Sequence, residues 1–134
     1  MAGELPTLSE ILKEDDRYPL DAYEFVYEAI EYAKRKLARG KAASRRIRHI
    51  TPAQLVEGVR DLALEKFGFL ATLVLSRWHI YTSSDVGEII GNLVRTGDVE
   101  LGPGESVEDF HGLCDYRQEL TQRFRIAVTS VDRL

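Results

Sequence analysis

Apolar residues recur at helical spacing through most of this chain, and capping residues, glycines and prolines cut the pattern into segments. Thr7, Leu8, Ser9 and Glu10 have capping-box spacing, and Leu8, Ile11 and Leu12 follow at helical intervals. They predict a short helix running to about Asp16. Tyr18, Pro19, Leu20 and Asp21 then break and restart the chain. The next helix, about Leu20 to Arg39, is predicted to be the strongest element. Ala22, Val26, Ala29, Ile30, Ala33 and Leu37 form its stripe, with Phe25 and Tyr32 on one flank and Tyr23 and Tyr27 on the other. An apolar arc this wide implies more than one packing partner. Gly40 stands where a C-cap is expected.

Lys41 to Ile50 has no helical period and reads as a loop. Thr51, Pro52 and Gln54 open the third helix, whose buried face is predicted as Leu55, Val56, Val59, Leu62, Ala63 and Phe67, with Gly68 ending it. A fourth helix is expected over 69–77, burying Leu70, Leu73 and Val74. His79 to Thr82 reads as extended, and Ser83 or Ser84 as the cap of a fifth helix. That helix carries Val86, Ile89, Ile90, Leu93 and Val94 on one stripe and stops at Gly97. Beyond it the period changes. Val99 and Leu101 alternate with polar residues, Gly102-Pro103-Gly104 is a turn signal, and Phe124, Ile126 and Val128 suggest a strand. Asp115 to Gln122 reads as helical.

The fold class expected is therefore mainly α with a small β component: a compact helical domain, winged-helix-like in its second half. A length of 134 residues favours one domain. Within it lie N-terminal helices (1–40), a basic loop (41–50) and a helical module with C-terminal strands (51–134). Hydrophobic content of 44% and charged content of 30% are ordinary for a globular protein. One cysteine, Cys114, excludes an intrachain disulfide and suits a reducing compartment. The acidic first ten residues argue against a signal peptide, and the longest apolar stretch, Phe69 to Leu75, is far too short for a membrane span. A cytoplasmic protein with no membrane contact is expected.

Charge distribution changes the picture most. Lys34, Arg35, Lys36, Arg39, Lys41, Arg45, Arg46 and Arg48 fall within fifteen residues that contain no acid. The whole chain has 18 bases and 22 acids, a net charge of -4; without this block ten bases would face 22 acids. A positive segment thus sits in a negative body, and concentrated positive charge attracts anionic partners. The helical half of the block has a structural explanation. It complements the negative end of the helix dipole, and Glu31 stands three and four residues before Lys34 and Arg35. Lys41, Arg45, Arg46 and Arg48 have no local acid, so these four are the candidate polyanion-binding residues. The loop lacks an aromatic residue on which a base could stack.

Three helices followed by a Gly-Pro-Gly turn between alternating segments resemble a winged-helix arrangement over about Thr51 to Tyr116. The resemblance implies a helix-turn-helix with a β-hairpin wing, its third helix, Ser84 to Arg95, in the DNA major groove. The outward face of that helix, read as Asp85, Glu88 and Asn92 with only Arg95 positive, would be repelled by phosphates. The runs YPLDAYEFVYEAIEYA (18–33), TPAQLVEGVRDLALEKFG (51–68), DVGEIIGNLVRTG (85–97) and EDF with CDY (108–116) also resemble a family of small uncharacterised bacterial proteins. That resemblance implies one intact bacterial domain and transfers no functional residue.

No catalytic signature emerges. His111, Cys114 and Asp115 are the nearest thing to a reactive cluster. His49 and His79 do not extend it to zinc-ligand spacing, and no acid pair stands out as general acid and base. Tyr18, Tyr23, Tyr27 and Tyr32 read as core aromatics with hydroxyls at its edge. Trp78 reads as a core anchor. No catalytic residue, metal ligand or cofactor is expected. The leading expectation is a non-enzymatic intracellular binding module whose basic loop engages a polyanion, nucleic acid foremost. The alternative is an acidic protein–protein interaction adaptor without nucleic-acid binding. An enzyme is the third class.

Overall fold

The structure, a computed structural model, describes residues 4–40 and 49–122. It is a helical protein in the order α1 (Leu8–Glu14), α2 (Leu20–Gly40), α3 (Pro52–Phe67), α4 (Ala71–Arg77) and α5 (Ser83–Thr96). Short 3-10 turns occupy Gly68–Leu70 and Val107–Phe110, and residues 116–122 are again helical. Two helix starts follow directly from sequence. Thr7 and Thr51 each accept from the backbone N–H three residues on, while Glu10 and Gln54 reach back to the cap N–H. At α5 the cap is Thr82 rather than Ser83 or Ser84. The Asp85 carboxylate accepts from the N–H groups of both Tyr81 and Thr82, so the acid three residues on decides the start.

Helix α2 is the hub and packs against both α3 and α5, as its wide apolar arc requires. Ala22, Val26, Ala29 and Val59 are fully buried along its contacts. Contact with α3 is close because Gly58 faces α2: a Cβ there would lie 3.0 Å from the Ala33 Cβ. Phe25 of α2, Phe67 of α3 and Trp78 at the end of α4 form one aromatic cluster, with centroid separations of 5.1 to 5.9 Å. The turn Val107–Phe110 seats buried Phe110 on α5 at Gly87, where a Cβ would meet the Phe110 Cβ at 2.7 Å.

Two expectations about burial and extension are corrected. Ala71 and Leu75 are the buried residues of α4, while Leu70 and Leu73 are 46% and 54% exposed. The 3-10 turn resets the phase, so the inward stripe runs Ala71, Leu75, Trp78. Val99 and Leu101 form no ladder; they are half-buried against the core instead. Among the described residues the only strand-like pairing is an isolated antiparallel bridge between Thr82 and Asp115. The Gly102–Gly104 turn therefore carries no hairpin, so the β-hairpin wing implied by the winged-helix resemblance is not seen among the described residues. The expected strand at 124–128 lies outside the described residues.

Buried Ser83 fixes the chain near the bridge. Its hydroxyl accepts from the N–H groups of Leu113 and Cys114 at 3.0 and 3.1 Å. Tyr116 then returns to α3, donating its hydroxyl to the Val56 carbonyl at 2.8 Å. Among the described residues no helix is long and apolar enough to cross a membrane.

Candidate functional site

Lys41, Arg45, Arg46 and Arg48 lie outside the described residues, so the geometry concerns what flanks them. On the upstream side α2 runs unbroken through Gly40. Lys36 is committed to Asp61 of α3 at 2.5 Å, across the helix pair rather than along α2. Burial alone would raise the Asp61 carboxyl; hydrogen bonds from Lys36 and Arg60 outweigh it and hold the carboxyl below its ordinary value. Arg35 and Arg39 are exposed, and neither has a carboxylate partner among the described residues. No ion pair joins Glu31 to Lys34 or Arg35 there. Helical spacing permits those pairs but does not hold long exposed side chains in them. On the downstream side His49 Nε2 donates to Glu105 at 2.9 Å, while the other oxygen of Glu105 accepts from the Gly102 N–H at 2.9 Å.

The outward face assigned to α5 is not free. Helix α1 and the turn after it cover that face. Arg17 forks onto Asp15 and reaches Glu88 at 3.3 Å; Arg95 reaches Glu14 at 3.0 Å. Asn92, expected on the outer face, is buried and bonded to Tyr23. The Arg17 hydrogen bond, opposed by burial and helped by Asn92, holds the Asp15 carboxyl well below the usual carboxylate range. Tyr18 donates to Asp85 at 2.7 Å. Burial first, and then that acceptor, push its phenol well above the ordinary tyrosine value. Asp85 and Glu88 of α5 are thus engaged by Tyr18 and Arg17 in the turn after α1, and Arg95 by Glu14 of α1 itself.

The reactive cluster read from sequence does not assemble. His111 is exposed, and Asp115 accepts from the N–H of Gln118 as a helix start. The Cys114 thiol instead donates to Glu119 at 3.0 Å, and Glu119 also pairs with Arg60 at 2.7 Å. Burial, with the Glu119 acceptor adding to it, pushes the thiol up to about 12. A thiol so protonated is a poor nucleophile. Among the described residues no group of three or more His, Cys, Asp or Glu could hold a metal ion. The tyrosines divide: Tyr18 and Tyr23 are buried, Tyr32 is half-buried, and Tyr27 is 45% exposed.

Exposed Tyr27 lines a cleft of about 270 Å³ that sequence reasoning did not reveal. Helix α2 supplies one wall through Tyr27, Ile30, Glu31 and Lys34; residues 49–52 and Leu55 supply a second. Ile90, Phe110 and the stretch from Asp98 to Leu101, with Glu105, close it. The alternation at Val99 and Leu101 was the available signal, and it marks a cleft wall rather than a strand. Pairing of His49 with a residue 56 positions away left no local trace.

A second surface is apolar. Phe69, Leu70 and Leu73 are exposed within a span of five residues, at the 3-10 turn and the start of α4. Comparison of the chain with protein-family models, curated proteins and solved structures finds no match. Function is therefore argued from these surfaces.

Proposed function

We propose that this chain is a binding module whose segment from Lys41 to Arg48 engages a polyanion, nucleic acid foremost. Lys41, Arg45, Arg46 and Arg48 would be phosphate contacts. The observation that carries the reading is at the end of α2. Arg35 and Arg39 stand exposed with no carboxylate partner among the described residues, on the helix that leads into the segment. Cationic charge therefore begins on a fixed element and continues through a stretch with no acid. Contacts to phosphates alone carry no sequence information, so binding is non-specific and salt-dependent. The lone cysteine fits a reducing compartment such as the cytoplasm.

Fluorescence anisotropy with labelled duplex and single-stranded oligonucleotides tests this. Four phosphate contacts predict a roughly hundredfold loss of duplex affinity between about 50 and 200 mM salt. Changing Lys41, Arg45, Arg46 and Arg48 together to Gln should abolish binding. No binding at the lower salt, or binding unchanged in the fourfold variant, defeats the reading.

The second reading is a protein-interaction adaptor, favoured by the exposure of Leu70 and Leu73 on adjacent elements. It predicts a partner retained from lysate after nuclease treatment and released by Leu70→Ser with Leu73→Ser. The polyanion reading predicts the opposite sensitivity.

A further inference from the structure

We propose that the cleft between α2 and the 98–105 stretch binds a small organic cation: an ammonium or amidinium group on a short apolar body. The cleft's volume of about 270 Å³ suits a ligand smaller than a drug-sized one. Its interior is apolar, with Ile30, Leu55, Ile90 and Phe110 all buried residues that reach its surface. Its charged lining is mostly acidic: Glu31, Asp98, Glu100 and Glu105 against Lys34, with His49 already bonded to Glu105.

These acids are not equivalent. Both oxygens of Glu105 are used, by His49 and by the Gly102 N–H. Asp98 accepts from the Thr96 hydroxyl at 2.7 Å. Glu31 and Glu100 have no ion pair among the described residues, so they are the groups left to receive a cation. Among the described residues no group of three or more His, Cys, Asp or Glu could hold a metal ion. Two carboxylates lining a cleft with an apolar floor match an organic cation that carries an apolar body. The exposed Tyr27 ring adds a face that favours positive charge. An organic anion of the same shape would meet repulsion from the rim, and a bare polyamine would leave the apolar wall unused.

This inference stands apart from the polyanion reading, because Glu31 and Glu100 decide it and Lys41 to Arg48 decide the other. Titration by saturation-transfer NMR with phenylbutylamine, phenylbutanol and phenylbutyrate tests it. The amine should bind saturably, with a dissociation constant on the order of a millimolar or tighter, and about tenfold better than the alcohol. Phenylbutyrate should bind least. Glu31→Gln combined with Glu100→Gln should bring the amine down to the alcohol, whereas Glu24→Gln, on α2 outside the cleft, should change nothing. Equal binding of amine and alcohol, amine binding unaffected by the double substitution, or no saturable binding at tens of millimolar each overturns the proposal.

Discussion

The Asn92 side-chain amide donates to the Tyr23 hydroxyl at 2.9 Å inside the protein, and the same nitrogen reaches Asp15 at 3.1 Å. One buried amide thus ties α5 to α2 and to the turn after α1. A buried donor or acceptor stripped of its partner is destabilising by about 1–3 kcal/mol. Asn92→Ala should lower stability by about that amount, and Tyr23→Phe by about 1 kcal/mol. Because the two share one bond, the double variant should lose less than the sum. Urea unfolding of the four proteins measures the coupling.

His79 occupies a position built for glycine. Its φ is 63°, and it closes α4 by donating from its N–H to Ser76 while Ile80 donates to Leu75. Helix α5 closes with the same pair of bonds around Gly97, at φ 85°. A side chain in that conformation is unfavourable by about 1–2 kcal/mol, partly offset by the greater freedom of an unfolded glycine. His79→Gly should therefore stabilise the protein by about 0.5–1 kcal/mol. An unfolding midpoint that falls would contradict the assignment.

Gly87→Ala should act in the opposite direction. The new methyl would meet the Phe110 Cβ at 2.7 Å and the Val107 carbonyl at 3.1 Å. Overpacking of this kind is destabilising by about 1–3 kcal/mol, more than the helix preference of alanine restores. Chemical unfolding should show a lower midpoint with an unchanged slope, since the compactness of the two end states is not altered.

Acid should weaken the protein in a defined window. Asp15 and Asp61 both have carboxyls held below their ordinary value of 3.8 in the folded state. A depressed pKa gives stability that is fully present above the unfolded value and is lost as pH falls through the folded one. Urea midpoints should be flat from about pH 7 to 5 and fall steadily below about pH 4. Asp15→Asn should start lower, because the Arg17 fork is weakened, and should fall less steeply. A parallel decline in variant and parent would show that Asp15 contributes nothing to the acid limb.

Helix legibility was high because local signals decide helix ends. Thr7 with Glu10 and Thr51 with Gln54 announce two starts in four residues each, and Gly68 and Gly97 announce two stops. The stripe of α2 was equally plain, since a buried face repeats every turn. Misreadings came where tertiary partners overrule local pattern. Asn92 looks outward by polarity, yet Tyr23 and Asp15 give its amide a buried place. Ser83 looks like a cap, but its hydroxyl holds the 113–114 backbone. Leu70 and Leu73 look buried until the turn at Gly68 rotates α4. The cleft left only the alternation at Val99 and Leu101 as a trace, because its walls come from segments whose meeting only the folded chain decides.

The single indole of the protein touches rings from two other helices, Phe25 and Phe67. Its emission is therefore a built-in gauge of whether α2, α3 and the end of α4 remain assembled. A red shift and a far-ultraviolet circular dichroism loss that superimpose through denaturation would mean these elements come apart as one cooperative unit.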